Sequence, residues 1–128
     1  MVRVKFSFES GIEIIGEINE DLNPRTAKKI IEVLPIRSKV RRWGDEIYFE
    51  TPVDIELEKS QEYVELGAIG YWPLGKALCL FFGKTPVSDD ERPKAYSPVN
   101  VIGKLHGDLT ILRKVRDGET VKVEISDK

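Results

Sequence analysis

The chain has one cysteine, one histidine and one methionine among its 128 residues, and these scarcities exclude several kinds of protein. A lone Cys79 cannot form an internal disulfide, which fits a reducing cytoplasm better than an oxidising compartment. His106 has no second histidine and no cysteine at ligand spacing, so no zinc site is expected. No cofactor motif occurs, and the glycines near Lys76 and Thr85 lack the spacing of a phosphate loop. Twenty basic and 22 acidic residues leave a formal net charge of −2, with signs alternating rather than blocked. Such a surface offers no field for nucleic acid. No apolar run approaches the roughly 20 residues that a membrane helix needs, so no membrane partner is expected. A strand pattern from Val2 onward argues against a secretory signal. Amides are scarce too: Gln61 stands alone beside Asn19, Asn23 and Asn100. With abundant Lys, Arg and Glu, that composition suggests a heat-adapted source.

What is present is a globular chain. Hydrophobic residues at 41% and charged residues at 33% suit one domain, residues 1–128, with a substantial core. Val2, Val4, Phe6 and Phe8 alternate with polar residues, and Ser10-Gly11 turns the chain into a second strand ending near Ile18. Asn23 is placed to cap a helix that opens at Pro24. Ala27, Ile30, Ile31 and Leu34 form its apolar stripe, and Pro35 ends it. Strands are expected over 36–42 and 47–51 around a Gly44-Asp45 turn, at Val53, Ile55 and Leu57, over 63–66, over 77–82 and over 99–105. Residues 83–98 read as a long irregular connection. Asp108 is placed to cap a second helix carrying Leu109, Leu112 and Val115, with Gly118 as its stop. Val121, Val123 and Ile125 form a last strand. Pairing of the first and last strands would close a barrel of about eight strands, with the helices covering its ends.

Residues 66–86 are the most informative stretch. Glycines and a proline surround Tyr71 and Trp72, and a Gly/Pro-rich bend lies near water, so two large aromatics there point to recognition. The apolar run over 77–82 lacks alternation, as expected of a strand covered on both faces. Phe81 and Phe82 must point opposite ways, one inward and the other free to face a groove. Trp43, before the Gly-Asp turn, reads either as a packed residue or as a groove wall. Arg37, Lys39, Arg41 and Arg42 form either a wet face or a positive strip for an acidic ligand. Asp89-Asp90-Glu91 lacks the ligand alternation of a calcium loop and reads as solvated. Cys79, in an apolar strand without a cation beside it, reads as packing rather than as a nucleophile.

Several segments resemble a known family. Asn23-Pro24-Arg25-Thr26-Ala27 resembles the start of the first cyclophilin helix, Pro-Lys-Thr-Ala/Val-Glu-Asn-Phe. Residues 101–107, Val-Ile-Gly-Lys-Leu-His-Gly, resemble the cyclophilin Val-Phe-Gly-Lys-Val-x-x-Gly segment. Phe81-Phe82 stands where cyclophilins carry Ser-Gln-Phe-Phe-Ile. Residues 43–49, Trp-Gly-Asp-Glu-Ile-Tyr-Phe, and 70–86, Gly-Tyr-Trp-Pro-Leu-Gly-Lys-Ala-Leu-Cys-Leu-Phe-Phe-Gly-Lys-Thr-Pro, are similar to motifs of a small prokaryotic cyclophilin-like family. The resemblance implies the cyclophilin-type barrel of eight strands with two capping helices. It also brings prolyl isomerisation to mind, yet the isomerase motifs Phe-His-Arg-Val and Gln-Gly-Gly-Asp-Phe are both missing.

The expectation is therefore a cyclophilin-like barrel binding a small molecule or an extended peptide in a surface groove. The expected lining is Trp43, Tyr71, Trp72 and Phe81, with Arg42 as polar anchor and the loop around Tyr96 as a lid. No catalytic residue, metal or cofactor is assigned. Two rivals are a divergent peptidyl-prolyl isomerase and a subunit that pairs with a protein partner or with a second copy of itself.

Overall fold

In a computed structural model, residues 1–126 are described. The strands are β1 (Val2–Phe8), β2 (Glu13–Ile18), β3 (Ile36–Lys39), β4 (Arg41–Arg42), β5 (Glu46–Glu50), β6 (Gln61–Tyr63), β7 (Ala68–Trp72), β8 (Ala77–Phe81), β9 (Lys94–His106) and β10 (Thr120–Ile125). One α-helix, α1 (Pro24–Glu32), and two 3-10 turns, Pro73–Gly75 and Leu109–Lys114, complete the fold. The strands run antiparallel in the order β3-β10-β1-β2-β9-β7-β8-β5-β4, and β6 pairs with β9 off this path. The expected pairing of first and last strands is present, with Phe6 opposite Val123. Closure differs from expectation, because β3 and β4 at the two ends of the path do not hydrogen-bond to each other. They are consecutive on the chain, separated by the buried Val40, whose N–H and carbonyl bond to Glu119 and Gly118 beside β10. The sheet has ten strands and no ladder across that seam.

Alternation sorts the side chains into two cores. Phe6, Ile47, Phe49, Ile69, Tyr71, Leu78, Leu80 and Ile102 belong to a main core that α1 covers with Ala27 and Ile30. Their neighbours along the same strands point the other way. Cys79, Phe81, Ala95 and Val99 form a second cluster, with Tyr48 and Trp72 packed against it. This double burial explains the unbroken apolar run of β8, every residue of which is buried.

Three local expectations are corrected. The second helix is a 3-10 turn; Asp108 caps it through Thr110 N–H at 3.0 Å, and it ends at Val115, before Gly118. The strand at 99–105 extends back to Lys94, so Tyr96 lies on β9 and not in a loop. Pro98 is tolerated there because β6 offers only a short, shifted ladder. Residues 53–57 form no strand, because side chains instead of a neighbouring strand satisfy their backbone. Tyr71 Oη donates to Val53 O at 2.5 Å, Asn100 Nδ2 donates to Glu56 O at 3.0 Å, and Asn100 Oδ1 accepts from Glu58 N at 2.8 Å.

The same network corrects the expected helix cap. Asn23 makes no side-chain cap bond to α1; it donates to Val101 O and accepts from Lys59 N–H. The Glu58 carboxylate caps the helix instead, accepting from the N–H groups of Arg25 and Thr26 and from Thr26 Oγ1. Burial opposes the charge on Glu58, but these bonds outweigh it and hold the carboxyl below its ordinary range. Asn100 is fully buried at the centre of the network. Asn100→Leu would leave the Glu58 N–H and the Glu56 carbonyl without their partner. It is predicted to cost about 3 kcal/mol in urea unfolding, and parental stability would show that the network is dispensable.

Candidate functional site

The site is built from a tight turn. Trp43 and Glu46 exchange both backbone hydrogen bonds, N–H to O at 3.0 and 3.1 Å, across Gly44-Asp45. Gly44 has φ +60°, and a Cβ there would come within 2.8 Å of Pro86 and 3.1 Å of the Lys84 carbonyl. Only glycine satisfies both constraints. Asp45 N–H bonds to Lys84 O, and Phe82 N–H bonds to Asp45 O, which ties the turn to the segment after β8. Trp43 and Glu46 are thereby fixed on the outer face of the sheet, above the second cluster.

There a half-open cavity of about 200 Å³ is lined by Trp43, Glu46, Tyr48, Trp72, Ala95, Tyr96, Ser97 and Val99. Its rings stand nearly at right angles. Trp43 meets Tyr96 at 6.0 Å between centroids, Tyr96 meets Trp72 at 6.2 Å, and Trp72 meets Tyr48 at 5.9 Å, all with interplanar angles between 82° and 84°. Such edge-to-face contacts hold each ring against its neighbour. Trp72 Nε1 donates to Ser97 Oγ at 2.6 Å, which fixes the indole further.

Glu46 is the one carboxyl on this wall, and it is 6% exposed. Burial raises its pKa from 4.5 to about 7, and a hydrogen bond from Cys79 opposes that rise slightly. The Cys79 thiol is itself pushed well up, by burial first and by the adjacent Glu46 second. It therefore stays protonated and unreactive, as a packed cysteine should.

The structure brings Trp43, Trp72 and Tyr96 together at the cavity and places the other expected residues elsewhere. Tyr71 is fully buried in the main core, because consecutive residues of β7 point to opposite faces. Phe81 is fully buried in the second cluster and does not reach the cavity. Arg42 lies beside the turn, with its guanidinium over the Phe82 ring at 5.1 Å. It donates to the carbonyls of Val115, Arg113 and Gly44, and sits 3.9 Å from Asp45. Arg42 thus joins the turn to the second 3-10 segment. Tyr96, on β9 rather than on a loop, is 69% exposed and stands between the two tryptophans at the mouth. Glu46 and Tyr48 were not anticipated. Alternation carried the signal: with Ile47 and Phe49 inward, Glu46 and Tyr48 must share the face reached by Trp43.

Other features remain minor. His106 pairs with Glu17 at 2.7 Å on the rim of a separate hollow. Asp90 is held at about 2 by Arg92, and Asp89 accepts from Tyr63 Oη. Among the described residues no group of three or more His, Cys, Asp or Glu side chains could hold a metal ion, and no helix is long and apolar enough to cross a membrane.

The fold has relatives. The cyclophilin-like family profile matches residues 2–124, and the chain belongs to that family. A hypothetical protein of Archaeoglobus fulgidus, solved in solution, is 47% identical over 98% of this chain and 95% of its own, with a TM-score of 0.82. The protein McbB, solved in complex with tryptophan, shares the fold at a TM-score of 0.77 and 16% identity; the match covers 98% of this chain and 45% of McbB. No curated protein matches the sequence.

The raised carboxyl sets a pH dependence. Between pH 4.5 and about 7 the unfolded chain has lost the Glu46 proton while the folded protein keeps it. Stability attributable to this group therefore falls as pH rises through that window. Glu46→Gln is predicted to remove a decline of about 2–3 kcal/mol between pH 5 and pH 8. Denaturant unfolding at the two pH values measures it, and equal declines in parent and variant would contradict it.

Proposed function

We propose that this protein is a binding module that receives one ring-sized or alkyl-sized group of a small molecule or an extended peptide between Trp43, Tyr48, Trp72 and Tyr96. The observation that carries this reading is the convergence of four aromatic rings, from the β4–β5 turn, β5, β7 and β9, on one half-open hollow. Size supports it: an apolar cavity of roughly 150 Å³ accommodates benzene, whereas sites for whole drug-sized ligands are about 300–1,000 Å³. A volume near 200 Å³ suits one anchoring group and no large cofactor.

The rival reading, a divergent peptidyl-prolyl isomerase, requires a donor fixed beside the twisting amide to lower a barrier of about 18–20 kcal/mol. No arginine lines the cavity. Arg42 is engaged with three carbonyls, and the exposed Arg41 lies 3.9 Å from Asp117. These engagements favour binding over catalysis.

Two measurements test the reading. Single-ring and short-alkyl fragments are expected to shift the indole N–H resonances of Trp43 and Trp72, and Trp72→Ala should weaken the best fragment by about 1–3 kcal/mol while the far-ultraviolet dichroism is retained. Unchanged affinity with a large loss of stability would make Trp72 a packing residue. In a protease-coupled assay on an Ala-Pro peptide, no acceleration is expected. Acceleration abolished by Arg41→Ala or Arg42→Ala would establish the isomerase instead.

A further inference from the structure

The cavity has a charge preference as well as a size. Glu46 is its one carboxyl, and no lysine, arginine or histidine lines it. Among the described residues no ion pair engages Glu46. A buried carboxylate without a counter-charge is costly, and a ligand carrying a positive charge to it removes that cost. Ring faces also attract cations, and an aromatic enclosure is a general means of holding a quaternary ammonium. The near-perpendicular chain Trp43–Tyr96–Trp72–Tyr48 brings four rings to one half-open cavity, and Glu46 lines the same cavity.

We propose that the group bound in this cavity is an organic ammonium, alkylated at nitrogen, held between the four rings and neutralised by Glu46. The inference rests on the ligand-site reading above and adds the chemical class of the ligand. Arg42 and Arg113 face Asp45, on the turn next to Glu46, rather than Glu46 itself. The Cys79 thiol of β8 is against Glu46, and Tyr48 of β5 with Tyr96 and Ser97 of β9 are the other polar side chains lining the cavity. Glu46 is the one carboxyl on this wall, and its ionisation sets the response to pH there. An ammonium requires its ionised form, and binding releases the proton that burial keeps on the empty site.

The test compares choline with its uncharged carbon isostere, 3,3-dimethylbutan-1-ol, by calorimetry and by the indole N–H resonances of Trp43 and Trp72. A short peptide bearing one trimethyllysine, run beside the same peptide with unmodified lysine, distinguishes a side-chain source from a free small molecule. Choline or the trimethyllysine peptide should bind at least tenfold more tightly than its control. Glu46→Gln, with its folding checked by dichroism, should abolish that preference. Affinity for choline should rise about tenfold from pH 6 to pH 8, following ionisation of a group near 7. Equal or tighter binding of the carbon isostere would overturn the ammonium assignment and leave the ligand site standing. A cationic preference that survives Glu46→Gln would overturn the role of Glu46. Failure of choline, isostere and both peptides to move either indole would overturn the assignment and count against the ligand site as well.

Discussion

Along β5, β7, β8 and β9, consecutive side chains must satisfy two different cores, one on each face of the sheet. Ile47 and Phe49, Ile69 and Tyr71, and Leu78 and Leu80 meet in the main core, while Tyr48, Trp72, Cys79 and Phe81 gather on the reverse face. A one-residue slip in any of these strands would exchange its two sets, and a slip of β5 would place Glu46 in the main core. Register is therefore fixed from both sides, and the aromatic wall inherits that precision. The site is an unfilled portion of the second core, which explains how so small a cluster holds four rings in fixed relative orientation.

The main core is completed by chain that forms little regular structure of its own, Val53 and Ile55 among it. Residues 52–60 stay in place because Tyr71, Asn100 and Asn23 supply the hydrogen bonds that a neighbouring strand would otherwise give. Each of these side chains is buried, where a lost partner costs more than a net hydrogen bond contributes. The same network caps α1 through Glu58, so the helix and the irregular segment depend on one set of bonds. The turn at Gly44 plays a corresponding part on the other side, fastened by the segment after β8 and by Arg42.

Much of the architecture was legible because period-2 alternation is strong in this chain. Val2 to Phe8, Val121 to Ile125 and the unalternating run of β8 all fall where their patterns placed them. Val53, Ile55 and Leu57 alternate just as clearly, yet no strand forms: Val53 and Ile55 do face the core, Leu57 is exposed, and alternation does not record what satisfies the backbone. Tyr96 was assigned to a loop because Ser97 and Pro98 resemble a break, although a strand with a weak partner on one side tolerates both. At the site, Trp43 and Trp72 were recognisable from their turn-rich surroundings. Tyr71 was grouped with Trp72 because Gly/Pro-rich surroundings suggested a bend near water, whereas both lie on β7, where adjacent residues take opposite faces. Glu46 was passed over because a glutamate beside an aspartate in a turn reads as surface charge.

Two glutamates show why that residue matters. Glu58 and Glu46 both contact buried groups, but their carboxyls are driven in opposite directions. Glu58 accepts from two backbone N–H groups at the start of α1, and those bonds favour its ionised form. Its charge serves the fold. Burial favours the neutral form of Glu46, and among the described residues its side-chain partner is the Cys79 thiol. Glutamine would fill nearly the same space without the penalty of ionisation. A carboxyl that is costly to ionise in the folded state, set among four rings at one cavity, is the kind of side chain that the proposed ligand site accounts for and packing alone does not.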